Sequence, residues 1–250
     1  MKDFVSRSLF CFLLTALLSL AANSQATTPT NQSAQPQTAQ GPDKRDASQA
    51  TGKHEGTSDD RLFFVLPNFL TLENGANVPP LTAGQKFKVV ARSAFDPIQI
   101  PWYAFLAGIG QAQDEPKYGQ GAEGYGKRIA AAAADGTIEN FMTGAVFPSL
   151  LHQDPRFFQM SQGSFWHRAG YAVTRIVVTR TDSGHAQFNF SEVLGSGAAA
   201  AISTYSYHPS VDQTASNTAK VWGTQVGYDT LTILIKEFWP DIRRNLSKKK

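Results

Sequence analysis

Two short stretches of the chain carry the residue types that acid–base chemistry requires. His152, Asp154 and Arg156 surround Pro155, and Arg180, Asp182 and His185 surround the turn signal Asp182-Ser183-Gly184. A carboxylate orients and charges a nearby imidazole, and a guanidinium holds a phosphate or carboxylate, so either set could act as a catalytic group on a lipid or glycan. Neither spacing specifies a reaction. Loops between helices use the same residues for backbone reasons: Asp154-Pro155 would cap the next turn, Asp182 would make an Asx turn, and the arginines would pair with them.

Other chemistries find less support. His152, His167, His185 and His208 are scattered, with no i, i+4 pair and no HExxH, so no metal-ligand set is read. Gly195-Ser196-Gly197 lacks the GxSxG elbow of a serine hydrolase and reads as close packing. Gly119, Gly121 and Gly124 have G-x-G-x-x-G spacing but follow Pro116-Lys117-Tyr118 rather than a strand, and no GK[ST] occurs. No nucleotide and no other cofactor is expected.

Aromatic residues cluster at predicted helix ends: Trp102, Tyr103, Phe157, Phe158, Phe165, Trp166, Phe238 and Trp239. Such rings either sit at membrane headgroup level or close the ends of a helical core. Phe238 and Trp239, followed by Arg243, Arg244, Lys248, Lys249 and Lys250, form the best candidate for a membrane-contact element. Close to an anionic surface each of those charges contributes about 1 kcal/mol. The alternative is a frayed, solvated terminus. The formal charge of the whole chain is +3, too small to argue for nucleic acid.

These residues must be positioned by elements, and the first of those is a targeting segment. Lys2 and Arg7 precede an apolar run from Leu9 to Ala22, and Ser24-Gln25-Ala26 has the small residues of a cleavage site, so residues 1–26 read as a secretory signal peptide. The rival is an uncleaved anchor, but the run is shorter than the ~20 residues that span a bilayer. Cys11, the only cysteine, lies in that run. The mature chain then has no thiol, which excludes disulfides, thiolate catalysis and cysteine-ligated zinc, and suits a bacterial periplasm or cell envelope. Residues 27–60 contain no large aliphatic or aromatic side chain and read as a disordered spacer. Residues 61–250 are one domain.

Within that domain Arg61 to Leu72 reads as an extended segment. Thr82 with Gln85 has the form of a capping box, so a helix should start near Ala83, with interruptions at Asp96-Pro97 and Ile100-Pro101. Ala122, Gly126, Ala130 and Ala134 recur every fourth residue, and Ile138, Met142 and Val146 continue that row to Pro148. Ser164 should cap a helix through Trp166 and Val178, a small-residue helix follows Ser191, and a last helix from about Thr214 to Phe238 should stop at Pro240. The expected fold is all-α, a compact bundle of about five helices with Gly/Ala contacts. The alternative is α+β, with a hairpin around residues 173–190, where Val, Ile, Thr and Phe flank the Asp182-Ser183-Gly184 turn. Lys127, Arg128, Asp135, Glu139, Arg175, Arg180, Asp229, Lys236 and Glu237 interrupt every apolar stretch, so a multispan membrane protein is not expected.

The sequence therefore points to an exported envelope protein with a non-catalytic role, bound peripherally to an anionic membrane surface or to copies of itself. The alternative is an envelope hydrolase of lipid or cell-wall material that uses the His/Asp/Arg sets.

Overall fold

The computed structural model describes residues 57–73 and 78–248. The expected signal peptide, the spacer up to residue 56, and Lys249 and Lys250 lie outside the described residues. The molecule is mostly helical, with a few short strands. Its helices are α1 (Ala83–Ala94), α2 (Gln99–Gln113), α3 (Gly121–Phe141), α4 (Phe147–Leu150), α5 (Phe165–Thr174), α6 (Phe190–Ser206) and α7 (Ala215–Ser247). Its strands are β1 (Arg61–Leu62), β2 (Leu66–Pro67), β3 (Thr71–Glu73), β4 (Gln153–Asp154), β5 (Phe157–Gln159), β6 (Val178–Thr181) and β7 (Ala186–Phe188). β1 pairs antiparallel with β2, β3 runs parallel to β5, and β4, β6 and β7 form an antiparallel sheet in the order β4-β6-β7.

Local chemistry sets the helix starts. The Thr82 hydroxyl accepts from Gln85 N–H at 3.3 Å while Gln85 Oε1 accepts from Thr82 N–H at 2.8 Å, the reciprocal capping box that opens α1. Ser164 accepts from His167 N–H at the start of α5, and Thr214 does the same from Asn217 N–H at the start of α7. Pro101 does not interrupt α2. It lies in the first turn, where its missing N–H removes no helical bond. Pro148, expected to kink or end the helix, enters the first turn after a π-helical turn, Met142–Val146, that joins α3 to α4, and the helical run closes after Leu150.

Pro240 departs most from expectation, because α7 runs through it to Ser247. A proline leaves the carbonyl four residues earlier without a donor. That carbonyl belongs to Lys236, and the Gln159 side chain donates to it from β5. Arg168 of α5 donates to the next carbonyl, that of Glu237, at 2.7 Å. Tertiary partners thus replace what the proline removes.

The helix expected to continue through Val178 stops at Thr174, and residues 178–188 form a β-hairpin closed by Asp182-Ser183-Gly184, with Gly184 at φ +88°. This corrects the helix-loop-helix reading of the stretch and adopts its alternative. β-Branched residues suit a pleated surface, and β4 supplies a second partner for β6 that lies far away in sequence.

The core gathers Phe69, Val89, Val90 and Ala145, with Leu70 and Phe141 packed against them. α6 approaches the π-helical turn closely at Gly195, where a Cβ would lie 3.1 Å from the Met142 carbonyl carbon and 3.2 Å from Thr143 Cα. Residues 57–60, the end of the expected spacer, run along the domain. Ser58 N–H donates to Phe69 O at 2.8 Å, Asp59 pairs with Arg92, and Asp60 pairs with Arg243.

Candidate functional site

Strand pairing brings the two sequence-predicted sets together. β4 and β6 align Gln153 with Thr181 and Asp154 with Arg180, and Asp182 N–H donates to the His152 carbonyl at 2.8 Å. Their carboxylates, however, are held by cations. Asp154 grips Arg156, accepting from Nε at 2.8 Å, from an Nη at 2.6 Å and from the backbone N–H at 3.0 Å. Asp182 accepts from Lys86 Nζ at 2.8 and 2.9 Å, and the buried ammonium also donates to the carbonyls of Pro148 and Gln153. His152 is exposed at φ +53°, and exposed His185 meets Ser183 Oγ through Nδ1 at 3.1 Å. Among the described residues neither imidazole is bonded to a carboxylate.

Behind this sheet stands a group that local spacing did not identify. The Arg180 guanidinium lies 4.3 Å from the centroid of the Phe158 ring, and that of Arg156 lies 5.5 Å from the same centroid. Tyr171 of α5 donates its hydroxyl to the Phe158 carbonyl at 2.6 Å, and Arg175 stacks on the Tyr171 ring at 4.7 Å. Burial pushes the Tyr171 hydroxyl above its usual range, against the pull of Arg175 and Arg180. Three guanidiniums therefore share one aromatic bed, with a single carboxylate, Asp154, bonded to one of them. Tyr171 stands in α5 and Arg175 caps its C-terminal end, with no marker of chemistry around them.

A second group overlooked in the sequence lies between helices. Glu139 of α3, Glu192 of α6, and Asp229 and Lys236 of α7 interact in the interior. Burial, then the charges of Asp229, Glu192 and Asp135, raise the Glu139 carboxyl to about 9. Burial and Asp229 push Glu192 well above the usual carboxylate range. Burial raises Asp229 as well, while hydrogen bonds from the two glutamic acids and the charge of Lys236 pull it back; burial lowers Lys236. Glu139 Oε1, Glu192 Oε1 and Asp229 Oδ2 are buried without a hydrogen-bond partner, which favours the protonated form of these carboxyls. Among the described residues no group of His, Asp or Glu could hold a metal ion. Part of the sequence signal was present: Glu139, Asp229 and Lys236 are among the charges that break its apolar runs, whereas Glu192 is not.

The glycines with G-x-G-x-x-G spacing shape a loop around Arg128. Gly119 and Gly121 have φ of +85° and +81°, and a Cβ on Gly124 would lie 2.1 Å from the Gly119 carbonyl oxygen. Buried Arg128 donates to that oxygen, to the Glu115 carbonyl and to Gln111, and pairs with Asp114 at 3.1 Å.

The expected membrane-contact rings turn inward. Trp239 is 0% and Phe238 8% exposed. Phe238 stacks on Phe165 at 4.9 Å and lies under the Arg168 guanidinium, while Phe63 and Phe64 pack on Trp239 at 5.1 and 5.5 Å. Other aromatics are presented to solvent: Phe63 is 47%, Phe64 61% and Trp166 72% exposed. Phe63 and Phe64 both adopt left-handed φ, 51° and 63°, in the turn between β1 and β2. Bulky side chains rarely accept that conformation. Along α5 the exposed row continues through Gly170, Val173 and, just beyond the helix, Val177. Of the basic tail, Arg243 pairs with Asp60, Arg244 with Asp241, and Lys248 is exposed. No helix among the described residues is long and apolar enough to cross a membrane. No protein-family model matches the chain, and comparisons with curated proteins and with solved structures find no match.

Proposed function

We propose that the protein is a non-catalytic component of the cell envelope that docks peripherally on an anionic membrane surface. The observation that carries this reading is the turn Phe63-Phe64-Val65, which exposes two strained phenylalanines on a run of rings that leads through Trp239, Phe238 and Phe165 to exposed Trp166. Strained backbone persists where surrounding structure enforces it, and exposed apolar side chains gathered at one end suit an interfacial seat. The aromatic chain Phe63, Phe64, Trp239 and the stack of Phe165 on Phe238 give that end a rigid base. Arg175, Lys248 and Arg180 supply positive charge that favours anionic lipid. Association with a second copy through the same apolar end is the competing outcome.

Flotation of the purified protein with neutral and phosphatidylglycerol-containing vesicles tests the proposal. The wild type should float with anionic vesicles and be partly released by high salt. The double variant Phe63→Ser, Phe64→Ser should remain in the soluble fraction with an unchanged far-UV spectrum. Equal flotation of both proteins, or of neither, contradicts the proposal, and a change in sedimentation of the variant without flotation of the wild type favours self-association.

A hydrolase acting through His152, Asp154, Arg156, Arg180, Asp182 and His185 remains the second reading, favoured by the β4–β6 pairing that brings both sets to one sheet. Turnover of a lipid or cell-wall substrate that is lost in His152→Ala or His185→Ala would support it.

A further inference from the structure

The geometry points to an oxyanion-binding site formed by Arg175 and Arg180 beside Tyr171, with phosphate as the ligand chemistry, carried either by a free solute or by a lipid headgroup. Among the described residues, neither guanidinium forms an ion pair, whereas Arg156 beside them is matched by Asp154. Both lie partly exposed, so a ligand can reach them. The Arg175 Nε–H is buried without an acceptor, and the only hydrogen bond of that guanidinium is a 3.3 Å contact to Thr174 Oγ1. A donor that aromatic stacking holds in place and protein acceptors leave unused is an incomplete site.

The arrangement favours phosphate for three reasons. Stacking on Phe158 and Tyr171 fixes the planes of Arg180 and Arg175 before a ligand arrives, which lowers the entropy lost on binding. Planar forks of N–H donors match the several oxygens of a phosphate, and two of them serve one phosphate better than one carboxylate. The Coulomb repulsion between guanidiniums flanking one tyrosine is relieved by a multiply charged anion. The site also lies at the edge of the exposed α5 row, since Arg175 stands between exposed Val173 and Val177. A phosphate held there could belong to a lipid whose chains meet that row. This last step rests on the membrane reading; binding of free phosphate does not.

The test is phosphorus NMR titration of the full chain with inorganic phosphate at constant ionic strength, run beside vesicle flotation, for the wild type, Arg175→Gln, Arg180→Gln and Arg180→Lys. Because the Arg175 guanidinium makes one weak hydrogen bond and otherwise only stacks on Tyr171, its replacement should leave the far-UV spectrum and the cooperativity of thermal unfolding unchanged and so separates binding from folding. Phosphate line broadening that is lost at least tenfold in Arg175→Gln and Arg180→Gln, and only partly kept in Arg180→Lys, supports a site for a free oxyanion. No broadening, with anionic flotation reduced tenfold in the same variants, supports the headgroup source. Free-phosphate binding without any flotation supports the site while contradicting the membrane reading. Flotation unaffected by either arginine variant, without phosphate broadening in the wild type, overturns the site and leaves the Phe63-Phe64 seat standing.

Discussion

Lys86 shows how a charge is kept in a helical interior. Its ammonium has three N–H donors, and two carbonyls and both oxygens of Asp182 receive them at 2.8 to 3.2 Å. Replacing it by methionine strands a carboxylate and two carbonyls, so Lys86→Met should lower the unfolding free energy by about 3 kcal/mol in urea titration. Asp182→Asn should cost less, because Asp182 keeps some solvent contact. A loss for Lys86→Met below about 1 kcal/mol would place the ammonium in water instead. At this scale the sequence was partly legible. Asp154 and Arg156 are near neighbours, and their pairing could be anticipated. The partner of Asp182 lies 96 residues away, and no local pattern reveals it. Arg175 and Tyr171 gain meaning only once α5 and β5 lie together. Phe238 and Trp239 were expected at the end of the last helix, but α7 continues past them to Ser247, and a run of amphipathic residues does not say which way its rings turn.

Helix contacts determine the pH response. In the unfolded chain Glu139 titrates near its ordinary 4.5, whereas in the folded protein it titrates at about 9. The folded state therefore holds that proton more tightly. Its stabilisation is complete below about pH 4.5 and is lost as the pH rises toward 9. Glu192 and Asp229 act in the same direction. Lys236, lowered from 10.5, acts in reverse, regaining stability as the pH rises toward that value. Thermal unfolding measured from pH 5 to pH 9 should thus fall, and Glu139→Gln, which fixes the neutral form, should flatten the fall; parallel curves would show that Glu139 is not protonated in the fold. Gly195→Ala tests the neighbouring contact. Its methyl meets the Met142 backbone at 3.1 Å, so the variant should lose about 1 to 3 kcal/mol in denaturant unfolding, while Gly223→Ala, which meets nothing within 4 Å, should not be destabilised. Element starts were readable because caps are local chemistry, as Thr82, Ser164 and Thr214 show. Element ends were not. α7 passes Pro240 because Gln159 and Arg168 satisfy its carbonyls, and the hairpin exists because β4 completes its sheet.

For the whole molecule, two surface features stand out: an outward-facing aromatic end, and a group of arginines in which Arg156 is paired with Asp154 while Arg175 and Arg180 form no ion pair among the described residues. The expectation of a mostly helical fold is met, but the small sheet that carries Arg180 depends on pairings between distant segments. Depth-dependent quenching by brominated phosphatidylglycerol gives the most direct test of the seat. Tryptophan emission is recorded for the wild type and for Trp166→Phe, both bound to the same vesicles. The account predicts that bromine quenches the wild type and that most of the quenching disappears with Trp166, since Trp239 is buried behind Phe63 and Phe64. Equal quenching in the two proteins, or none in the wild type, would contradict docking through this end.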